Sequence, residues 1–178
     1  MKKRMLSIVL SGAMAVSTAV SAGSFSAFAV AQCVAYSGSN VNDQDYVQWS
    51  DTVKSYLTVC DNGNYMRVQS GAIEGKLLVE YYSSDFEPLS TKLIDNELPI
   101  FGAFYDSGNN YYVLSGQENP KQNDSLEVFR ITKYDKNWNK IKSCGLYGAN
   151  TTVPFDAGSA RMTHSGDHLL VRTCHEMY

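Results

Sequence analysis

Apolar and aromatic residues come along this chain in short runs, many of them alternating with polar ones. Clusters of Gly, Asn, Asp and Ser separate the runs. Alternation with a period of two, bounded by turn-forming residues, predicts half-buried β-strands. It places strands at 54–60, 65–69, 76–82, 90–94, 101–105, 111–116, 126–134, 140–146, 160–164 and 168–174. Beyond residue 30 no stretch keeps a helical period. Asp61-Asn62-Gly63-Asn64 and Asp106-Ser107-Gly108-Asn109 each put Gly where a tight hairpin turn needs positive φ. The predicted fold is all-β. Twelve Tyr, seven Phe, two Trp and thirteen Gly against four Pro agree with strands joined by turns.

The predicted strands repeat. Residues 60–71 laid on 105–116, an offset of 45, agree at six of twelve positions: Asp61/Asp106, Gly63/Gly108, Asn64/Asn109, Val68/Val113, Ser70/Ser115 and Gly71/Gly116. Average composition gives about one such match. A further shift of 58 brings Ser107, Gly108 and Val113 onto Ser165, Gly166 and Val171, and Ser115 onto Thr173. A second hairpin lies between the copies. Residues 76–90 align with 128–142, which pairs Val79 with Ile131, Tyr82 with Tyr134, Phe86 with Trp138 and Leu89 with Ile141. The period is four strands in 45 to 58 residues.

Four strands at this spacing have the size of a propeller blade. On that repeat, the chain from about residue 53 resembles bacterial exported β-propeller repeat proteins. It has no Trp-Asp dipeptide and no sialidase-type Asp box. The resemblance implies a partial propeller-like stack of four-stranded antiparallel blades, about two and a half in number. The copies are 53–98, 99–150 and an incomplete 151–178, after a lead-in at 30–52. Closed propellers need about four blades. The sequence also runs out of an apolar strand at its end. The expectation is therefore a piece of a longer protein whose missing C-terminal blades complete the fold, with an open sandwich or an oligomeric ring as the rival.

The N-terminus reads as an export signal. Lys2, Lys3 and Arg4 precede an apolar stretch from Met5 to Val20, and Ala27-Phe28-Ala29 offers the small-x-small cleavage pattern. Ala29-Val30-Ala31 is an alternative cleavage site. A membrane anchor would need a longer uninterrupted apolar span. Gln32 before Cys33 does not suit a lipoprotein. Removing residues 1–29 from 178 leaves 149, and the loss of three cations and no anions moves the net charge from −3 to −6. No basic cluster survives, so nucleic acid is not an expected partner. No membrane association is expected after cleavage. Localisation is expected to be secreted or cell-surface. Cys33, Cys60, Cys144 and Cys174 all follow the signal; they allow two disulfides in three pairings, or buried thiols.

Candidate chemistry is sparse. Gly-x-Ser-x-Gly elbows, phosphate-binding Gly loops and CxxC pairs are absent. Asn40 to Asp45 offers oxygens but lacks the Gly and distal Glu of a calcium loop. Tyr81, Tyr82, Tyr111 and Tyr112 suit stacking on sugars or packing between sheets. The resemblance implies a site on the loops 96–100, 116–124 and 147–159, which share one face of a propeller. Glu118 and Asn119 are binding candidates there. The densest titratable run is 172–178. His175 suits a general acid/base, Glu176 a base and Arg172 an anion clamp. Arg161, His164 and Tyr178 are further binding candidates. Arg161 and His164 are separated by an odd number of residues, so at most one points to a given side of a strand. No metal or cofactor is expected, because three converging ligands are not evident. The leading function is a secreted or cell-surface binding module for an extracellular protein or glycan. The alternative is a propeller enzyme, a hydrolase, lyase or sulfotransferase-like protein, with its site near Arg172, His175 and Glu176.

Overall fold

Turn residues divide the chain into hairpins, and the hairpins build three layers. The structure is a computed structural model that describes residues 52–156 and 160–176. The expected export signal, residues 30–51 with Cys33 and Asn40–Asp45, and Tyr178 lie outside the described residues. Strands β1 (Ser55–Val59), β2 (Tyr65–Ile73), β3 (Lys76–Tyr82) and β4 (Pro88–Asp95) form sheet 1 in the order β1-β2-β3-β4. Strands β5 (Ile100–Asp106), β6 (Tyr111–Gly116), β7 (Glu127–Tyr134) and β8 (Lys140–Tyr147) form sheet 2 in the order β5-β6-β7-β8. Two short strands, β9 (Val153–Pro154) and β12 (His175–Glu176), pair with each other. Strands β10 (Arg161–Ser165) and β11 (His168–Arg172) form the last hairpin. All pairings are antiparallel and no described residue is helical. The all-β class and the four-stranded antiparallel sheets stand as expected. Both sheets are open meanders.

The hairpin turns explain themselves locally. Gly63 and Gly108 sit at φ +80° and +86°, and Asp106 accepts from the Gly108 amide at 2.8 Å. The turns at 83–87 and 135–139 close in the same way. The Ser83 and Asp135 amides donate to the carbonyls of Glu87 and Asn139. Their side chains accept from the amides two and four residues on. Phe86 and Trp138 each occupy the left-handed region at φ 64°. That conformation is unfavourable for a bulky side chain, and the side-chain-to-backbone bonds of Ser83 and Asp135 hold it. The two aromatics differ in surroundings. Phe86 is exposed and stacks on Tyr65 at 4.5 Å, whereas Trp138 is buried between the sheets.

Consecutive strand residues point to opposite faces, and this property sets the layers. Met66, Val68, Leu77, Val79 and Ile94 of sheet 1 pack against Phe104, Tyr111, Val113, Tyr134 and Trp138 of sheet 2. The next residues along β5 and β6 turn the other way. Ala103 and Leu114, with Phe129 of β7, pack against Phe155, Ala160, Met162 and Val171. Sheet 2 therefore lies between sheet 1 and the β10–β11 hairpin. Val68 and Val113, aligned at the offset of 45, both point into the space between the two sheets. Cys60 and Cys144 carry free thiols.

An ion network fastens the β4–β5 connection to sheet 2. Arg130 on β7 donates from Nε to Glu127 Oε1 at 2.9 Å, from Nη2 to Glu127 Oε2, and from Nη1 to Glu97 Oε2 at 3.2 Å. Lys140 reaches the same Glu97 oxygen at 2.6 Å. Burial and the nearby Glu97 and Asp95 charges push the Tyr134 phenol up to about 12. The Arg130 hydrogen bonds hold the Glu127 carboxyl below the usual carboxylate range. A carboxyl lowered in the folded state adds stability above its unfolded pKa, about 4.3 for Glu. That stability drains away as the pH falls through the lower folded value. In melting experiments from about pH 6 to about pH 2.5, Tm is expected to fall below about pH 4.3. The fall is expected to be shallower in Glu127→Gln, and equal slopes would refute the role of this carboxylate.

Candidate functional site

The leading strands of the three layers, β1, β5 and β10, come side by side and enclose a groove of about 330 Å³. Tyr56, Leu57 and Thr58 line it from β1, Ala103 to Asp106 from β5, and Ala160, Arg161 and Met162 from β10 and the residue before it. Strand alternation sorts these side chains. Tyr56 turns between the sheets, edge-on to Phe101 at 6.0 Å and Phe104 at 5.9 Å. Burial raises the pKa of its phenol. Tyr105, one residue after Phe104, faces the hairpin. Its hydroxyl lies 2.5 Å from His164 Nδ1, a hydrogen bond whose direction follows the His tautomer.

Charge in the groove is unevenly compensated. Asp106 pairs with Lys136 at 2.7 Å, and the Lys136 ammonium stands 4.3 Å from the centre of the Tyr111 ring. Arg161 is exposed. Its Nη1 donates to the Ala160 carbonyl at 2.9 Å, and it has no carboxylate partner among the described residues. The groove thus offers one guanidinium without a carboxylate partner among the described residues and the Tyr105 phenol, which His164 holds from outside the groove lining.

The other sequence candidates distribute as follows. His164 and Arg161 leave β10 on opposite faces, as their odd spacing requires; His164 meets Tyr105 and Arg161 lines the groove. Arg172, opposite Arg161 in the hairpin register, opens instead onto a second cleft of about 470 Å³, which it shares with His175. The rest of that cleft is mostly apolar: Leu114, Phe129, Ile131, Leu146, Ala149, Val171 and Thr173. The backbone of Glu176 pairs with Val153 in β12–β9. The side chain of Glu176 lies outside the described residues, as does Tyr178. Glu118 is exposed. Asn119 is buried and holds its loop shut: Oδ1 accepts from the Asn123 amide at 2.9 Å and Nδ2 donates to the Asn123 carbonyl at 3.1 Å. Its own amide donates to the Thr152 carbonyl at 2.7 Å, which ties two loops together.

Tyr56, Tyr105 and Asp106 were not among the sequence candidates. Asp106 reads in sequence as a turn residue, a role it also performs. Tyr105 acquires its partner from His164, 59 positions along the chain, a proximity that only the stacking of layers creates. Among the described residues no three His, Cys, Asp or Glu side chains gather as metal ligands, and no helix is long and apolar enough to cross a membrane. Compared with known proteins, the chain matches no protein family, no curated protein and no solved structure.

Proposed function

We propose that the chain is an exported binding module, secreted or held at the cell surface, with its layers arranged as part of a propeller-like stack. Its ligand is an extracellular glycan held in the groove between β1, β5 and β10. The observation that carries this reading is the groove's combination of aromatic residues with compensated and uncompensated charge on three neighbouring strands. Sugars are bound by such surfaces, where an aromatic face covers C–H groups and fixed polar atoms meet hydroxyls. The volume lies at the small end for small-molecule sites, roughly 300 to 1,000 Å³, and fits one or two sugar units rather than a chain.

Screening the full chain against an array of bacterial and host glycans tests the proposal. A hydrogen bond to a charged group contributes roughly 1.5–3 kcal/mol. Arg161→Ala is therefore expected to weaken binding about ten- to hundred-fold while leaving the unfolding midpoint within error. Tyr105→Phe is expected to cost less, because the ring remains. Absence of any bound glycan, or full affinity in Arg161→Ala, would sink the reading.

A further inference from the structure

The third layer is narrower than the sheet beneath it. β10 lies against β5, and Met162 and Val171 pack against the cluster that holds Ala103 and Leu114. The hairpin thus covers the β5–β6 side of sheet 2. Over β7–β8 it leaves a trough, and no described strand pairs with the outer edge of β11. Two clefts, of about 470 and 450 Å³, run end to end along that edge and share Ile131. One meets Val171 to Thr173, and the other meets Leu169 and Asp167.

The floor of the trough is ordered by the β7–β8 register. Phe129 stands opposite Leu146, Ile131 opposite Cys144, and Lys133 opposite Lys142. These pairs fall two residues apart on β7 and share one face. They span four steps, roughly 13 Å at about 3.3 Å per residue, which is the reach of a strand as long as the five-residue β11. Leu146 is 46% exposed on this floor. At one end Lys133 and Lys142 oppose each other directly; at the other stand Arg172 and His175. Like charges in register destabilise a sheet. No described carboxylate forms an ion pair with Lys133, Lys142 or Arg172. Among the described residues, Asp167 is the only acid lining either cleft. This cationic patch belongs to a chain of net charge −3.

We propose that the trough receives an extended acidic peptide strand of a partner protein, added antiparallel to the free edge of β11. No described strand takes the row of backbone donors and acceptors along this edge, which only another polypeptide matches along its length. Alternate side chains of the added strand face the floor. A large apolar residue meets Phe129 and Leu146, a smaller one meets Ile131 and Cys144, and a carboxylate meets Lys133 and Lys142. This site shares no lining residue with the glycan groove, and the proposal does not rest on that groove's ligand.

The probe is the capped peptide Thr-Leu-Thr-Val-Thr-Glu-Thr, titrated into the isotope-labelled full chain and followed by amide chemical shifts. Shifts are expected at 169–173 and along β7–β8. Replacing the peptide's Glu by Lys is expected to weaken binding tenfold or more, and N-methylating the backbone amides on its β11-facing side should abolish it. Lys142→Glu takes the Lys133–Lys142 pair from two positive charges to none and should remove the charge preference, and the milder Lys142→Gln should weaken it; the exposed position of Lys142 leaves the fold intact in both. Three results would each overturn the proposal: no shifts at the β11 edge, equal binding of the Glu and Lys peptides, or full affinity after N-methylation. So would self-association in sedimentation equilibrium that Lys142→Glu abolishes, since it would assign the trough to a second copy.

Discussion

Trp138→Ala is expected to lower the unfolding free energy by about 3–5 kcal/mol, read as a fall in the urea midpoint. Trp138 is 5% exposed. It packs within 6 Å, centre to centre, of Phe104, Tyr111 and Tyr134 of its own sheet, and its Nε1 donates to the Tyr81 hydroxyl of sheet 1 at 3.1 Å. The truncation removes a buried ring and also takes the hydrogen-bond donor from a half-buried phenol. Phe86→Ala is the internal control. Phe86 has the same φ, and its turn carries the same backbone bonds, yet it is 60% exposed. Its loss is expected to cost about 1 kcal/mol, the scale of one aromatic pair. If the two variants lose equal stability, the left-handed turn rather than the buried ring is what matters.

The second large effect is expected at Phe155. Its ring rests directly on the backbones of Gly102 in β5 and Gly116 in β6, and edge-on to Phe129 at 5.3 Å. Its amide donates to the Cys174 carbonyl at 2.9 Å. This one side chain thereby pins the residues leading into the third layer onto sheet 2. Phe155→Ala is expected to cost about 3–5 kcal/mol. A Cβ on Gly116 would stand 2.8 Å from Phe155 Cε2, 2.9 Å from Pro154 Cβ and 3.0 Å from the Val128 carbonyl. Gly116→Ala is expected to cost about 1–3 kcal/mol through overpacking. In the double variant the ring is gone, so the added methyl meets less resistance and the combined loss should fall short of the sum. Strict additivity would show that Phe155 does not occupy that cradle.

Ten of the twelve strands follow from local pattern, because each is bounded by turn residues whose chemistry does not need the rest of the fold. The exceptions are β9 and β12. Two residues each, Val153–Pro154 and His175–Glu176 become strands only by pairing across 21 and 23 positions, and nothing local marks them. Strand ends moved for similar reasons. Pro88 joins β4 at an irregularity opposite Tyr82, and β2 runs on to Ile73 through another after Ser70. The layering was less legible than the strands. β3 buries Leu77, Leu78, Val79 and Glu80 in succession, so alternation does not reveal which face meets sheet 2. The groove was half legible. Arg161 and His164 stood out as polar residues on a strand, but the Tyr105–His164 contact belongs to packing between layers and has no signature in either segment.

The thinness of the third layer has a thermodynamic consequence. Sheet 2 is supported on both faces, whereas the β10–β11 hairpin has protein on one face only among the described residues. The unit with the least buried surface opens first. The groove draws Arg161 and Met162 from that hairpin, and the trough draws Leu169, Val171 and Arg172. Whatever binds in one cleft must hold the hairpin closed, and the closed hairpin forms part of the other. If both clefts take the ligands proposed above, the two are linked through order rather than through contact: each ligand would raise the affinity for its counterpart by the fraction of hairpin opening it suppresses.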